Sequence, residues 1–262
     1  MKNIIFYGGG NIAQAVAEGL IKSGYKKNNI FYVDRNSKNK QKLEKLQINS
    51  LQDSNLSKTD LFILAVKPKD AINAYKEILE KHGNPKVISF VAGIKSKKYL
   101  KINENVEFLR AMPNTSSRFN LGITALFNSS FKKNNLNKVI SIFKRIGIII
   151  ELEKESKIDT FTGMIGSGPA YFFYLLKSYE KKMMNLCNKD KKQVNDIMVN
   201  LMKGIGFSIE DNDLNNLIMA VASKKGTTEA GLKSFKANDL DKVFEKGLDA
   251  AIKRSKEISN EF

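Results

Sequence analysis

The sequence predicts an α/β protein with an N-terminal Rossmann-type, doubly wound, mainly parallel sheet and an all-helical C-terminal domain. Three observations carry this. An apolar run from Asn3 to Tyr7 leads directly into Gly8-Gly9-Gly10-Asn11-Ile12-Ala13 and an alanine-rich helical stretch. Further apolar runs recur up to Leu152, and they are continuous rather than alternating, as strands covered on both faces are. From Ser156 onward the strand patterns vanish and helical periodicity takes over. These patterns divide the chain at 1–153 and 154–262.

The first run and its glycines form G-x-G-x-x-A between a strand and a helix, the setting a dinucleotide fingerprint requires. Gly8 permits the tight turn, Gly10 lets a pyrophosphate approach the backbone, and Ala13 allows close helix–strand packing. The helix from Ile12 to about Lys22 supplies an anion site at its N-terminus and stops at Gly24. The second strand, Ile30 to Val33, ends at Asp34-Arg35-Asn36-Ser37-Lys38. An acid there takes a ribose 2′-hydroxyl, whereas a nearby Arg accommodates a 2′-phosphate. The donor-rich turn Arg35, Asn36, Ser37 and Lys38 favours NADP(H), and Asp34 leaves NAD(H) open.

Strands follow at Asp60 to Val66, ending at Lys67-Pro68, at Lys86 to Phe90, ending at Val91-Ala92-Gly93, and at Val106 to Arg110, ending at Ala111-Met112-Pro113-Asn114-Thr115. Small or polar residues just past strand ends are where open α/β sheets bind ligands. Gly122 to Phe127 and Gly147 to Leu152 bring the sheet to roughly eight strands, with a basic amphipathic helix between them from Phe131 to Arg145. We read that helix's charge as a solvated face.

In the C-terminal half, Gly166-Ser167-Gly168-Pro169-Ala170-Tyr171 opens a helix running to about Leu186, with proline tolerated in the first turn. Lys191 to Ile209, Asp213 to Ala222, Glu229 to Phe235 and Leu240 to about Ile258 read as four more. The loop Val221-Ala-Ser-Lys-Lys-Gly-Thr-Thr-Glu-Ala-Gly231 packs the hydroxyls of Ser223, Thr227 and Thr228 around Gly226. Leading into a helix, it aims unpaired backbone N–H groups at one spot, which suits a small carboxylate. The plainer reading is a capping turn with Thr227 or Thr228 as N-cap.

Bulk properties exclude several classes. No apolar run approaches the ~20 residues that a membrane span needs, and the first residues read as a strand rather than a signal peptide. Cys187 is the one cysteine, which rules out an internal disulfide framework and fits a reducing, cytoplasmic setting. With His82 the one histidine, no metal site is expected, and His82 itself reads as a surface residue at a helix end. The net charge of +17 comes from lysines scattered along the chain, often beside asparagine. With no nucleic-acid motif accompanying it, we expect no nucleic-acid partner.

Several of these stretches together resemble the pyrroline-5-carboxylate reductase family. They are Gly8 to Ala13, Ala65-Val66-Lys67-Pro68, Ala92-Gly93, Arg110-Ala111-Met112-Pro113-Asn114-Thr115, Gly166 to Tyr171 and the loop around Thr227-Thr228-Glu229-Ala230-Gly231. They stand in the family's order and span essentially the whole chain. The resemblance implies that 1–153 binds NADP(H) and that 154–262 forms the substrate site and a homodimer or larger homo-oligomer. It implies hydride transfer from NAD(P)H to a cyclic imine carrying a carboxylate, giving L-proline, the last step of proline biosynthesis. By the same resemblance, Thr228 hydrogen-bonds the ring nitrogen, while Ser223 and the N–H groups of Gly226 and Thr227 hold the carboxylate. Gly8, Gly10, Asn11, Ile12, Arg35, Asn36, Ala65, Val66 and Gly93 contact the cofactor, and Lys67, Pro68, Ala92 and Asn114 line its nicotinamide pocket. Arg110 reads as a structural ion-pair partner or as a substrate contact, with the first preferred. One departure stands out: the family usually has Ser-Pro-Gly-Gly where this chain has Ser223-Lys224-Lys225-Gly226. The alternatives are a non-catalytic NADP(H) sensor and a related imine or hydroxyacid reductase. The latter is disfavoured because the helix opening at Gly166 to Tyr171 lacks a catalytic lysine.

Overall fold

A computed structural model describes residues 1, 3–51, 60–210 and 212–261. The chain divides into two compact units, one comprising Met1–Ser167 together with the chain from Ala250 onward, the other Gly168–Asp249.

The first unit is built on an eight-stranded sheet in the order β3-β2-β1-β4-β5-β6-β7-β8. Its strands are β1 (Ile4–Tyr7), β2 (Ile30–Val33), β3 (Asn49–Ser50), β4 (Leu61–Leu64), β5 (Lys86–Ser89), β6 (Glu107–Pro113), β7 (Gly122–Asn128) and β8 (Gly147–Glu151). Every pairing is parallel except that of β6 with β7. The central strands β1 and β4 are buried along their whole length, which explains their unbroken apolar sequences. Strand β6 is longer than its sequence indicates. Ala111, Met112 and Pro113 remain in the strand because they pair with Leu126, Ala125 and Thr124 of β7.

Helices cover both faces of the sheet: α1 (Asn11–Lys22), α2 (Ser37–Lys45), α3 (Pro68–His82), α4 (Ser96–Leu100) and α5 (Lys133–Phe143). One apolar core gathers Ile4, Phe6, Val16, Leu20, Ile63 and Phe143. The other gathers Ile5, Leu64, Tyr75, Ile78, Tyr99 and Phe108. Alternate residues of β1 thus serve opposite cores, as the period-two geometry of a strand dictates.

The strand order reverses at β1, whose neighbours β2 and β4 carry the chain outward in opposite directions. Open α/β sheets bind ligands at this switch point, beyond the carboxyl ends of the strands. The segments that emerge there are Gly8–Gly10 after β1 and Ala65–Pro68 after β4.

After β8 comes α6 (Lys157–Phe161), then a π-helical turn (Thr162–Gly166) and α7 (Gly168–Leu186). Next are α8 (Lys191–Ile209), α9 (Leu214–Val221), α10 (Thr227–Ala237) and α11 (Leu240–Glu261). Asp190 and Asp213 cap α8 and α9, each accepting two backbone N–H bonds in the first turn. Helix α11 begins in the second unit and ends in the first. Its last turns are held there by Asp159 of α6, whose buried carboxylate accepts Ser255 Oγ at 3.1 Å and Ser259 Oγ at 2.7 Å.

Among the described residues of the second unit, only Met183, Cys187 and Val194 form a buried apolar cluster. Phe172, Phe173, Tyr174, Phe207, Met219 and Val221 are all exposed. Monomeric proteins rarely leave apolar surface so extensively open.

Candidate functional site

The glycine loop is shaped by close approach. Gly8 has φ +101°, and a Cβ there would sit 2.5 Å from the carbonyl oxygen of Ala65. No L side chain fits, so the loop from β1 can pass under the loop from β4 only with glycine at this position. Gly10 is the N-cap of α1 and offers no side-chain cap. A Cβ at Gly10 would meet nothing within 4 Å, leaving an open cradle over the helix N-terminus. The first-turn N–H groups of α1, those of Asn11 and Ile12, have no intrahelical acceptors and a positive helix end behind them. A pyrophosphate fits such a cradle.

A cavity of about 460 Å³ extends from this loop and is lined by Gly8, Gly10, Arg35, Asn36, Ala65, Val66 and Lys67, among others. The structure therefore brings together most of the cofactor residues expected from sequence. Asn11 and Ile12 open α1 beside it, and Pro68 is the first residue of α3, with Lys67 as N-cap. Arg35 and Lys67 are exposed, and Asp34 is part-buried.

Ala92, Gly93 and Asn114 do not line that cavity. Gly93 has φ +83°, and a Cβ there would come within 2.6 Å of Ile258 of α11, so helix packing already requires glycine. Asn114 is buried, and its side-chain oxygen accepts the Ile123 N–H at 3.0 Å, fixing the start of β7.

Arg110 is 2% exposed and pairs with Glu155 at 3.1 Å. Glu155 also accepts the N–H and hydroxyl of Ser96, and Arg110 donates to the Val91 carbonyl. The arginine is thus a strut linking β6, α4 and the segment before α6. Removing Glu155 would strand the buried Arg110 charge, which typically costs about 3–5 kcal/mol.

The hydroxyl-rich loop lies in the second unit. Ser223 to Gly226 form a turn closed by the Gly226 N–H donating to the Ser223 carbonyl at 3.0 Å. Lys225, third in that turn, has φ +58°. A left-handed residue at this place is the mark of turns that favour Pro-Gly at the two central positions. Gly226, rather than either threonine, is the N-cap of α10. Glu229 reaches back to accept the Lys225 N–H at 2.6 Å. Thr227 and Thr228 occupy the first two helical positions, where backbone N–H groups have no intrahelical acceptor. Ser223 and Thr227 are exposed and Thr228 is half-buried. The sequence did not show that the Gly226 N–H is committed to the turn. The N–H groups of Thr227, Thr228 and Glu229 precede the first intrahelical bond, which the Ala230 N–H gives to the Gly226 carbonyl.

Among the described residues no group of three or more His, Cys, Asp or Glu could hold a metal ion, and no helix is long and apolar enough to cross a membrane. His82 is half-buried rather than at the surface, its ring stacked on Phe62 with centroids 4.6 Å apart.

The strand order, the glycine cradle and the cavity at the switch point place this chain in the class of dinucleotide-binding α/β proteins. Residues 155–258 match the family described as pyrroline-5-carboxylate reductase dimerisation, and residues 3–93 match NADP oxidoreductase, coenzyme F420-dependent. A pyrroline-5-carboxylate reductase of Staphylococcus epidermidis is 34% identical over 98% of both chains, and one from Staphylococcus aureus is 34% identical over the same share. The chain belongs to the pyrroline-5-carboxylate reductase family. A solved reductase of that name from Coxiella burnetii superposes with a TM-score of 0.83 at 29% identity, covering 98% of each chain. The Plasmodium falciparum pyrroline carboxylate reductase, solved with NADP bound, has a TM-score of 0.84 at 24% identity over 98% of each chain, which bears on fold alone.

Proposed function

We propose that this chain reduces the cyclic imine 1-pyrroline-5-carboxylate to L-proline with NADPH, the last step of proline biosynthesis, in the cytoplasm. The observation that carries the reading is likeness to named reductases along 98% of the chain, which includes both the glycine cradle and the Gly-Thr-Thr opening of α10. The residues at the switch point fit a dinucleotide: Gly10 leaves the cradle open, and Arg35, Asn36 and Lys67 line the cavity beside it. Bound NADPH supplies the hydride that the imine carbon accepts.

The chain's own groups then have three tasks. The first-turn N–H groups of α1 hold the pyrophosphate. Ser223 and the free N–H groups of Thr227 and Thr228 hold the substrate carboxylate, aided by the positive end of α10. The Thr228 hydroxyl donates a hydrogen bond to the ring nitrogen, which draws electron density from the C=N carbon and makes it a better hydride acceptor. Positioning does the remainder, because the cofactor carries the hard chemistry. Residues 1–153 act as the NADP(H)-binding domain and 154–262 as the substrate and dimerisation domain, with a homodimer or larger homo-oligomer assembled through the helices.

The test is loss of nicotinamide absorbance on adding pyrroline-5-carboxylate, with NADPH and NADH run in parallel. We expect turnover, faster with NADPH. Tight NADPH binding without turnover, in folded protein, would replace the reductase with a cofactor sensor.

A further inference from the structure

We propose that Asp34 is a positioning residue that fixes the glycine loop, and that selection between NADPH and NADH is left to the neighbouring cationic turn. The inference rests on the reading that this chain binds a nicotinamide dinucleotide at the switch point. An acid one residue past β2 ordinarily accepts the ribose 2′-hydroxyl, and its charge opposes a 2′-phosphate. Here both carboxylate oxygens are engaged by the protein itself. Oδ2 accepts the Gly9 N–H at 2.5 Å and the Asn39 side-chain amide at 3.0 Å, and Oδ1 accepts the Asn36 N–H at 2.6 Å. A carboxylate offers about four acceptor sites, so little capacity remains for a ribose. The three donors also disperse the charge that would repel a phosphate.

The three donors come from two pieces of structure. Gly9 belongs to the loop between β1 and α1, Asn36 caps α2, and Asn39 lies in its first turn. Asp34 therefore ties the glycine loop to the turn that follows β2. The fit is close: a Cβ at Gly9 would lie 2.6 Å from Leu43 Cδ1 and 3.0 Å from Asp34 Oδ2. Beside this knot, Arg35 and Asn36 are exposed and line the same cavity, where a guanidinium and an amide suit a phosphate.

The experiment titrates NADPH and NADH by nicotinamide fluorescence into the wild-type chain and into Asp34→Ala, Asp34→Asn and Arg35→Ala, and adds steady-state kinetics for each. Asp34→Ala should weaken both cofactors by a similar factor of about tenfold or more, as expected for losing hydrogen bonds to a charged group. Its KM for both should rise while kcat stays within about twofold. Asp34→Asn keeps one acceptor oxygen and should recover part of the affinity; it also carries the comparison if the alanine variant does not fold. Arg35→Ala should weaken NADPH alone. An Asp34 variant that binds NADH worse and NADPH as well or better would make Asp34 a ribose ligand and overturn the proposal. A wild-type chain that binds neither cofactor would instead overturn the functional reading beneath it.

Discussion

At the scale of single residues, the candidate chemistry falls to hydroxyls and backbone amides rather than to acids and imidazoles. Thr228→Ala should lower turnover by at least ~10-fold, the lower end of what a positioned proton donor contributes. Thr228→Ser should keep most of it, and an alanine variant with full turnover would remove the hydroxyl from the mechanism. A second prediction concerns alkaline stability. Tyr75 is fully buried, with no partner for its hydroxyl among the described residues, and burial, with Tyr99 beside it, pushes its pKa up to about 12. An unfolded tyrosine ionises near 10. Between pH 10 and 12 the unfolded chain releases a proton that the folded chain keeps, so folding weakens as pH rises through that window. Tyr75→Phe should flatten the loss in thermal melts over pH 10–12 and leave neutral stability unchanged or slightly raised. Side-chain roles were only partly legible in sequence. Arg110 read as a strut and is one, because an arginine inside an apolar strand needs a fixed partner. The half-burial of His82 was hidden, since it depends on the end of α3 packing back onto Phe62 of β4.

At the scale of elements, the turn from Ser223 to Gly226 keeps a geometry its sequence does not favour. A lysine at φ +58° sits where glycine would rest without strain. A left-handed L residue costs about 1–2 kcal/mol, partly offset by the extra unfolded-state freedom of glycine. Lys225→Gly should therefore raise the melting temperature slightly, whereas Lys225→Val should lower it, both read by thermal unfolding. The double variant Lys224→Pro/Lys225→Gly tests whether the cationic pair draws in the anionic substrate. We expect a higher KM at low salt and a weaker dependence of KM on ionic strength. Helices and central strands were legible because each writes its own periodicity into consecutive residues. The extension of β6 to Pro113 was not, because it is set by antiparallel pairing with β7, and pairing partners leave no local mark. Of the two readings of the loop before α10, the one with a threonine as N-cap gives way to Gly226, with Glu229 reaching back to the Lys225 N–H.

At the scale of the whole molecule, the second unit is short of core. Its buried cluster is small, while Phe173 and Tyr174 are 66% and 76% exposed. Residues 155–258 match a dimerisation family, so a second copy of the chain is the occupant this apolar surface calls for. Phe173→Glu should shift the solution mass towards monomer and lower the melting temperature, and an unchanged mass would place the interface elsewhere. Composition foretold a helical half rich in apolar residues but not which of them stay uncovered, because that depends on how few of the helices bury against one another. The return of α11 to the first unit was equally hidden, being a matter of Ser255 and Ser259 meeting Asp159 across the fold. That return also sets an order on how the protein is made. A ribosome delivers the sheet first, at roughly 5–20 residues per second, yet the surface around Gly93 and Asp159 waits uncovered until the entire helical unit has been synthesised. The nascent sheet is thus unfinished for several seconds, and that interval is when a chaperone would have most to shield.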